Sequence, residues 1–245
     1  MIKFFRHIRQ NLIMENKTGK YFKYAIGEIL LVVIGILIAL QINNWNENRK
    51  AENVELDALK EVRNGLETDL EDVNYNLTSH HNKLKSQQII IKWLESNNTF
   101  NDTLSKHIGK IHFGTYFQSN ESPYQTLKQL GMRTIKNDSL RNQITSLYDL
   151  HYQQYNKYNA KYEDLTDQLI LEAANYFNGI DWLGTNTKPT NEVGLKQNNK
   201  YPFYLKTLTK FNEILINQTM PNVINNINKT LAMIDKELET RQDNN

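Results

Sequence analysis

The chain has 245 residues, a formal net charge of +2 and no cysteine. The absence of cysteine excludes disulfides, thiolate metal sites and cysteine nucleophiles. Residues 1–23 carry six cations and one acid, whereas the rest of the chain is slightly acidic; we therefore expect no nucleic-acid partner.

Residues 24–42 form the one long apolar stretch of the sequence, and residues 29–40 within it carry no charged or strongly polar side chain. As an α-helix, this stretch rises about 28 Å, roughly the thickness of a bilayer's hydrocarbon core. Tyr21, Tyr24 and Trp45 flank it and suit the headgroup layer, so we interpret them as membrane-interface anchors. The stretch is long for a cleaved signal peptide and offers no good cleavage site. The sequence therefore predicts an uncleaved transmembrane signal anchor, with a buried core helix as the alternative.

The charges on either side of this stretch predict its orientation. Cations dominate before Tyr24, whereas acids and cations are mixed after Ile42, which places the N-terminus in the cytoplasm and the later residues outside. Residues 3–13 fit a short amphipathic helix lying in the inner interface, and a mobile basic tail is the alternative. We therefore predict three parts, namely a cytoplasmic basic amphipathic tail (1–23), a transmembrane helix (24–42) and an external helical domain (43–245).

A long helix is predicted from Asn43 to about Asn97, because this range has no proline and a heptad pattern of apolar residues. Arg63, His80 and Gln87 are the polar exceptions on this apolar seam. The seam fits either a parallel coiled-coil dimer or one wall of a bundle within the chain. We favour the bundle, because the later helices also need a partner.

Further helices are predicted downstream, separated by turn residues. Five tyrosines on one of these helices form a stripe that we expect to pack near solvent, with a ligand-stacking face as the alternative. Trp182 is the one large apolar anchor of a long irregular stretch, and Pro221 is expected to kink or split the last helix. The predicted helices are 103–112, 123–130, 139–177 and 203–241; the irregular stretch is 178–202, and the tyrosines are Tyr148, Tyr152, Tyr155, Tyr158 and Tyr162. The fold class is thus all-α, with an N-terminal transmembrane helix followed by an ectodomain of long helices in an antiparallel bundle.

No catalytic, cofactor or metal motif is present in the sequence, so we expect neither an enzyme nor a bound cofactor. The histidines do not form a metal-binding pair on one helix, although ligands from several helices remain an open alternative. These histidines are His7, His80, His81, His107, His112 and His151.

Three residues of the apolar stretch are candidates for contact with a partner inside the membrane. Gly35 and Ala39 form a small-x-x-x-small pair, which lets helix backbones approach closely. Glu28 is an ionisable residue about one turn inside the span, where such a group is a functional hypothesis by default. The alternative is that Glu28 reaches the headgroups and neighbouring lysines.

The stretch Gly27–Glu47, preceded by Met1–Arg6, resembles the opening of a family of bacterial membrane proteins known only as a domain of unknown function. The family occurs mainly in Gram-negative bacteria of the flavobacterial kind. The segments Tyr124–Gly131, 135–140 and 144–148 are similar to its middle part. The resemblance implies an inner-membrane protein with a helical periplasmic domain, and it implies no activity and no site residues.

Together these features predict a non-enzymatic, membrane-anchored helical module that acts as a scaffold or interaction partner in the periplasm. Its expected partners are the lipid bilayer and a membrane or periplasmic protein, or a second copy of the chain. The alternatives are a periplasmic sensor of a small ligand, bound near Trp182 and the tyrosine stripe, and an accessory subunit of a membrane complex.

Overall fold

The computed structural model describes residues 18–182 and 186–242, and the regular structure in these ranges is helical. The one pairing of extended backbone described there is an isolated bridge between Phe177 and Pro189. The all-α prediction is therefore confirmed. The α-helices are α1 (Thr18–Leu94), α2 (Asp102–His112), α3 (Ser122–Leu130), α4 (Asp138–Ser146), α5 (Gln153–Ala173), α6 (Glu192–Gln197), α7 (Lys200–Ile214) and α8 (Met220–Gln242).

Two π-helical segments and one 3₁₀ turn (Met132–Thr134) complete the helical structure. The first π segment, Leu147–Tyr152, joins α4 to α5, and the second, Leu215–Thr219, joins α7 to α8. Helix α6 lies inside the range 178–202, which we had predicted to be irregular, and α7 begins inside the same range. The predicted amphipathic helix at residues 3–13 lies outside the described residues.

The chain divides into two compact units, of which the first ends at Glu55 and the second begins at Leu56. The described part of the first unit is the N-terminal portion of α1. Its apolar side chains are exposed, and Ile29, Leu31 and Leu37 each expose more than half of their surface. Among the described residues, this helix is the one that is long and apolar enough to cross a membrane.

The second unit has its own hydrophobic core, to which the C-terminal part of α1 contributes a seam. Leu59, Leu66 and Val73 are fully buried, and Leu70 and Leu77 pack against the same core. Helix α5 packs along α7, and α8 packs against α4 and the first π segment. The apolar seam of α1 is therefore covered by residues of its own chain.

The tyrosine stripe is part of this core, so the prediction that it lies near solvent is wrong. Four of its five tyrosines are buried, and Tyr158 is partly buried. The extended segment 113–121 places Phe117 on the stripe, with its ring 5.1 Å from that of Tyr152 and 4.9 Å from that of Tyr155. These aromatic contacts replace the solvent that we had expected at this face.

The last predicted helix is interrupted ahead of Pro221 rather than at it. Pro221 is the second residue of α8 and follows the second π segment directly. The N–H of Met220 donates to the carbonyl oxygen of Leu215, five residues earlier. Because proline lacks an N–H and its ring crowds the carbonyl four residues before it, a widened turn at this point accommodates the residue.

Candidate functional site

The candidate contact residues of the apolar stretch lie on one face of α1. Glu28, Gly35 and Ala39 fall within about 40° of one another around the helix axis. Gly35 and Ala39 are exposed, and a Cβ at Gly35 would meet no atom within 4 Å. Glu28 is partly exposed. The helix therefore brings the acid and the two small residues together on a face whose small residues are open.

Two of the three predicted interface anchors have described side chains. Tyr24 and Trp45 are 53% and 62% exposed, and the guanidinium of Arg49 lies 5.3 Å from the centre of the Trp45 ring. A half-exposed ring with a cation beside it suits the boundary between an apolar and a wet environment. Tyr21 belongs to the same helix, and its side chain lies outside the described residues.

A network of buried polar side chains lies at the centre of the second unit. His80 Nδ1 lies 2.7 Å from the side-chain oxygen of Asn212, and the Asn212 amide donates to the His80 carbonyl oxygen and to Gln87 Oε1, both at 3.1 Å. The Gln87 amide donates to the Tyr162 hydroxyl at 3.1 Å. All four side chains are at least 99% buried. The network therefore joins α1, α5 and α7.

The hydrogen bonds assign a neutral imidazole to His80. Because Asn212 uses its amide hydrogens elsewhere, its oxygen accepts from the Nδ1–H of His80. Nε2 is then the unprotonated nitrogen, and it has no partner among the described residues. Protonation would add a buried donor without an acceptor, and burial lowers the pKa of His80 to about 3.

Lys83 carries a buried amino group next to this network. Its side chain is 97% buried, and Nζ donates to Thr115 Oγ1 at 3.2 Å and lies 5.3 Å from the centre of the Tyr162 ring. Burial lowers the pKa of Lys83 to about 8, an effect that the charge of Glu163 opposes. Burial also raises the pKa of Glu163. The amino group is thus held without a contacting carboxylate among the described residues.

A second polar cluster fastens the extended segment 113–121 to α1. The buried carboxylate of Asp69 accepts from the backbone N–H of Asn120 at 2.6 Å and from the Tyr152 hydroxyl at 2.7 Å. One turn later, Asp72 accepts from the N–H of Gln118 at 3.1 Å. Burial raises the pKa of Asp69, and these two hydrogen bonds oppose the rise.

Two concave regions correspond to the predicted ligand site near Trp182 and the tyrosine stripe. The first is an open depression of about 300 Å³ that Trp182 lines together with Phe113, Lys83 and Lys110. The Trp182 ring is 47% exposed there, so it does not bury itself as an anchor. The second is a cavity of about 200 Å³ between the two π segments, which Tyr155 and Tyr158 line.

Sequence reasoning found part of the buried network and missed the rest. His80 and Gln87 stood out as polar residues seven apart on an apolar seam, and that spacing already required a buried polar partner. Asn212 and Tyr162 supply it, but neither differs in sequence from the many other asparagines and tyrosines of the chain. Lys83 was missed for the same reason, because a lysine on a helix is usually solvated.

The comparisons with known proteins follow from this geometry. In the described part of the chain, no group of three or more histidine, aspartate or glutamate side chains is placed to hold a metal ion. No curated protein and no solved structure matches the chain. The model of a family of unknown function, DUF6090, matches residues 28–194, a range that includes Glu28, His80 and Tyr162. The predicted resemblance to a family of unknown function is confirmed at this level, and the chain belongs to DUF6090.

Proposed function

We propose that the chain is a single-span protein of the bacterial inner membrane, of flavobacterial type, with a cytoplasmic N-terminus and a periplasmic helical domain. In this proposal the domain is an antiparallel bundle that acts as a non-enzymatic scaffold or interaction module. The observation that carries the proposal is the contrast between the two units. The second unit buries its apolar side chains in its own core, whereas those of residues 29–40 are all exposed. A bilayer is the environment that suits such a surface.

The face formed by Glu28, Gly35 and Ala39 supports a protein partner within the membrane. Small residues allow close approach of a second helix, and a carboxyl group in hydrocarbon favours a polar or cationic partner. The partner is a second copy of the chain or another membrane protein, and the latter would make the chain an accessory subunit.

Site-specific photocrosslinking in native membranes tests this proposal. A photoreactive residue at Ala39 should give one discrete crosslinked product. The same residue at Leu37, which lies about 180° from Glu28 around the helix, should give crosslinks to lipid only. Glu28→Gln, which keeps the size of the side chain and removes its charge, should abolish the Ala39 product without reducing the amount of protein in the membrane.

Two outcomes would contradict the proposal. Equal products from positions 39 and 37 would show that no particular face meets a partner. A product at position 39 that survives both Glu28→Gln and Glu28→Leu would leave Glu28 as an interfacial residue. Recovery of the protein in the soluble fraction would overturn the membrane anchor itself.

A periplasmic sensor of a small ligand is the second candidate function. The observation that favours it is the cavity between the two π segments, which lies within the second unit and next to the tyrosine stripe. π-Helical turns are frequent at functional sites, where they re-aim side chains at the cost of regular hydrogen bonding. Sensing requires that this cavity bind a ligand.

A further inference from the structure

The cavity between the two π segments is built from both of them and from the helices that follow. The first π segment contributes His151 and the second contributes Gln218 and Thr219. Its volume of about 200 Å³ is well above the ~10–15 Å³ that one water molecule requires. The full lining consists of His151, Gln154, Tyr155, Tyr158, Gln218, Thr219, Asn222 and Val223.

Two polar atoms of this lining have no hydrogen-bond partner among the described residues. Tyr155 is fully buried, and its hydroxyl is unpaired. The Nδ1 atom of His151 is also buried and unpaired. A buried polar group without a partner costs about 1–3 kcal/mol, so native proteins usually provide one. A molecule in the cavity would supply both missing partners.

The lining also indicates the chemical class of that molecule. It contains no lysine, arginine, aspartate or glutamate, so a charged ligand would lose its hydration without gaining a counter-ion. Amide, hydroxyl and imidazole groups both donate and accept hydrogen bonds, as sugar hydroxyls do. Tyr155 and Tyr158 add aromatic surface, on which the C–H face of a sugar ring can pack.

We propose that this cavity binds a neutral polyhydroxylated ligand of the size of one monosaccharide. A cavity of about 150 Å³ accepts a benzene ring, so the present volume has room for one six-membered sugar ring. The Tyr155 hydroxyl and the His151 Nδ1 atom would each form a hydrogen bond with ligand hydroxyls. This proposal names a ligand for the sensor function and does not depend on the partner in the membrane.

The experiment is a calorimetric titration of the full chain, purified in a detergent without a sugar headgroup. The probes are D-glucose, D-galactose, D-mannose and N-acetyl-D-glucosamine, with D-glucuronate as a charged comparison. We expect at least one neutral sugar to bind saturably with a Kd below about 10 mM. The charged sugar should bind at least about tenfold more weakly.

Matched substitutions locate the site. Tyr155→Phe removes the unpaired hydroxyl and should weaken binding of that sugar about tenfold. Tyr201→Phe is the control, because Tyr201 is also fully buried with an unpaired hydroxyl but does not line the cavity. Gln218→Ala changes an exposed lining residue and should weaken binding without affecting folding.

Three results would overturn the proposal. These are the absence of saturable binding by all four neutral sugars, equal binding of glucuronate, and wild-type affinity in both Tyr155→Phe and Gln218→Ala. Because the titration is independent of crosslinking at Ala39, failure of the ligand site and failure of the membrane partner remain distinguishable. If sugar binding fails while crosslinking succeeds, the chain is a scaffold without this sensor function.

Discussion

At the residue scale, the central feature is a polar network inside an apolar core. His80, Gln87 and Asn212 satisfy one another across α1 and α7. A completed network of this kind contributes only modestly to stability, but breaking it leaves buried groups unpaired and costs more. We infer that the network specifies how α1 pairs with α7, because a shifted register would leave all three side chains without partners.

The neutral state of His80 predicts a dependence of stability on pH. The unfolded chain takes up a proton on this residue near pH 6.5, whereas the folded chain does so only near pH 3. The unfolded state therefore binds more protons between these values, and the free energy of unfolding falls as the pH falls. At pH 5 the loss from His80 alone is about 2 kcal/mol relative to pH 7. Urea titrations at the two pH values measure it.

Two variants isolate the contribution of His80 from that of the other histidines. His80→Gln removes the titrating group and should reduce the loss between pH 7 and pH 5 by about 2 kcal/mol. His81→Gln alters an exposed neighbour on the same helix and should leave the loss unchanged. The remaining slope in His80→Gln should include His112, whose pKa burial lowers to about 4. An unchanged slope in His80→Gln would contradict the assignment of a neutral buried imidazole.

At the element scale, the sequence predicted the helices well where periodicity and caps coincide. The helix after Asn101 begins as expected, because the Asn101 side chain accepts from the N–H groups of Thr103 and Leu104. The first π segment was not predictable, because α and π turns differ by one residue per turn and leave the apolar pattern intact. The cavity depends on both π segments, so it could not be located from the sequence either.

The loop between α5 and α6 is held by polar contacts rather than by Trp182. The N–H of Thr187 donates to Ser105 Oγ on α2 at 2.8 Å, and both residues are buried. The N–H of Thr190 donates to the carbonyl oxygen of Tyr176 at 2.7 Å. Trp182 is the larger side chain, but it remains half exposed. The sequence favoured the tryptophan because a buried serine hydroxyl gives no signal in the sequence.

We therefore expect Ser105→Ala to loosen this loop more than Trp182→Ala does. The serine variant leaves the buried N–H of Thr187 without an acceptor, at a cost of about 1–3 kcal/mol. Limited proteolysis should cut between Phe177 and Glu192 several times faster in Ser105→Ala than in the wild type, with helix content by circular dichroism nearly unchanged. Faster cutting in Trp182→Ala than in Ser105→Ala would restore the tryptophan as the anchor.

At the scale of the whole molecule, the two units have opposite relations to water. The second unit encloses its apolar seam, including Leu59, Leu66 and Val73, whereas the first leaves its apolar side chains uncovered. The family match begins at Glu28 and continues through most of the second unit. Both parts therefore belong to what the family has in common, so a functional account has to include the apolar helix as well as the helical domain.

The proposed orientation rests on charge and predicts the location of the C-terminus. Six cations and one acid precede Tyr24, and an excess of cations favours retention of that side in the cytoplasm. Alkaline phosphatase, which is active only in the periplasm, should therefore be active when fused after Asn245. Replacing Lys17, Lys20 and Lys23 with glutamate should strongly reduce this activity, because it removes the charge difference across the span. Replacing Lys196, Lys200 and Lys206, which lie far from the apolar stretch, is the matched control and should change nothing. An inactive wild-type fusion would reverse the proposed topology, and full activity in the first triple variant would show that these lysines do not set it.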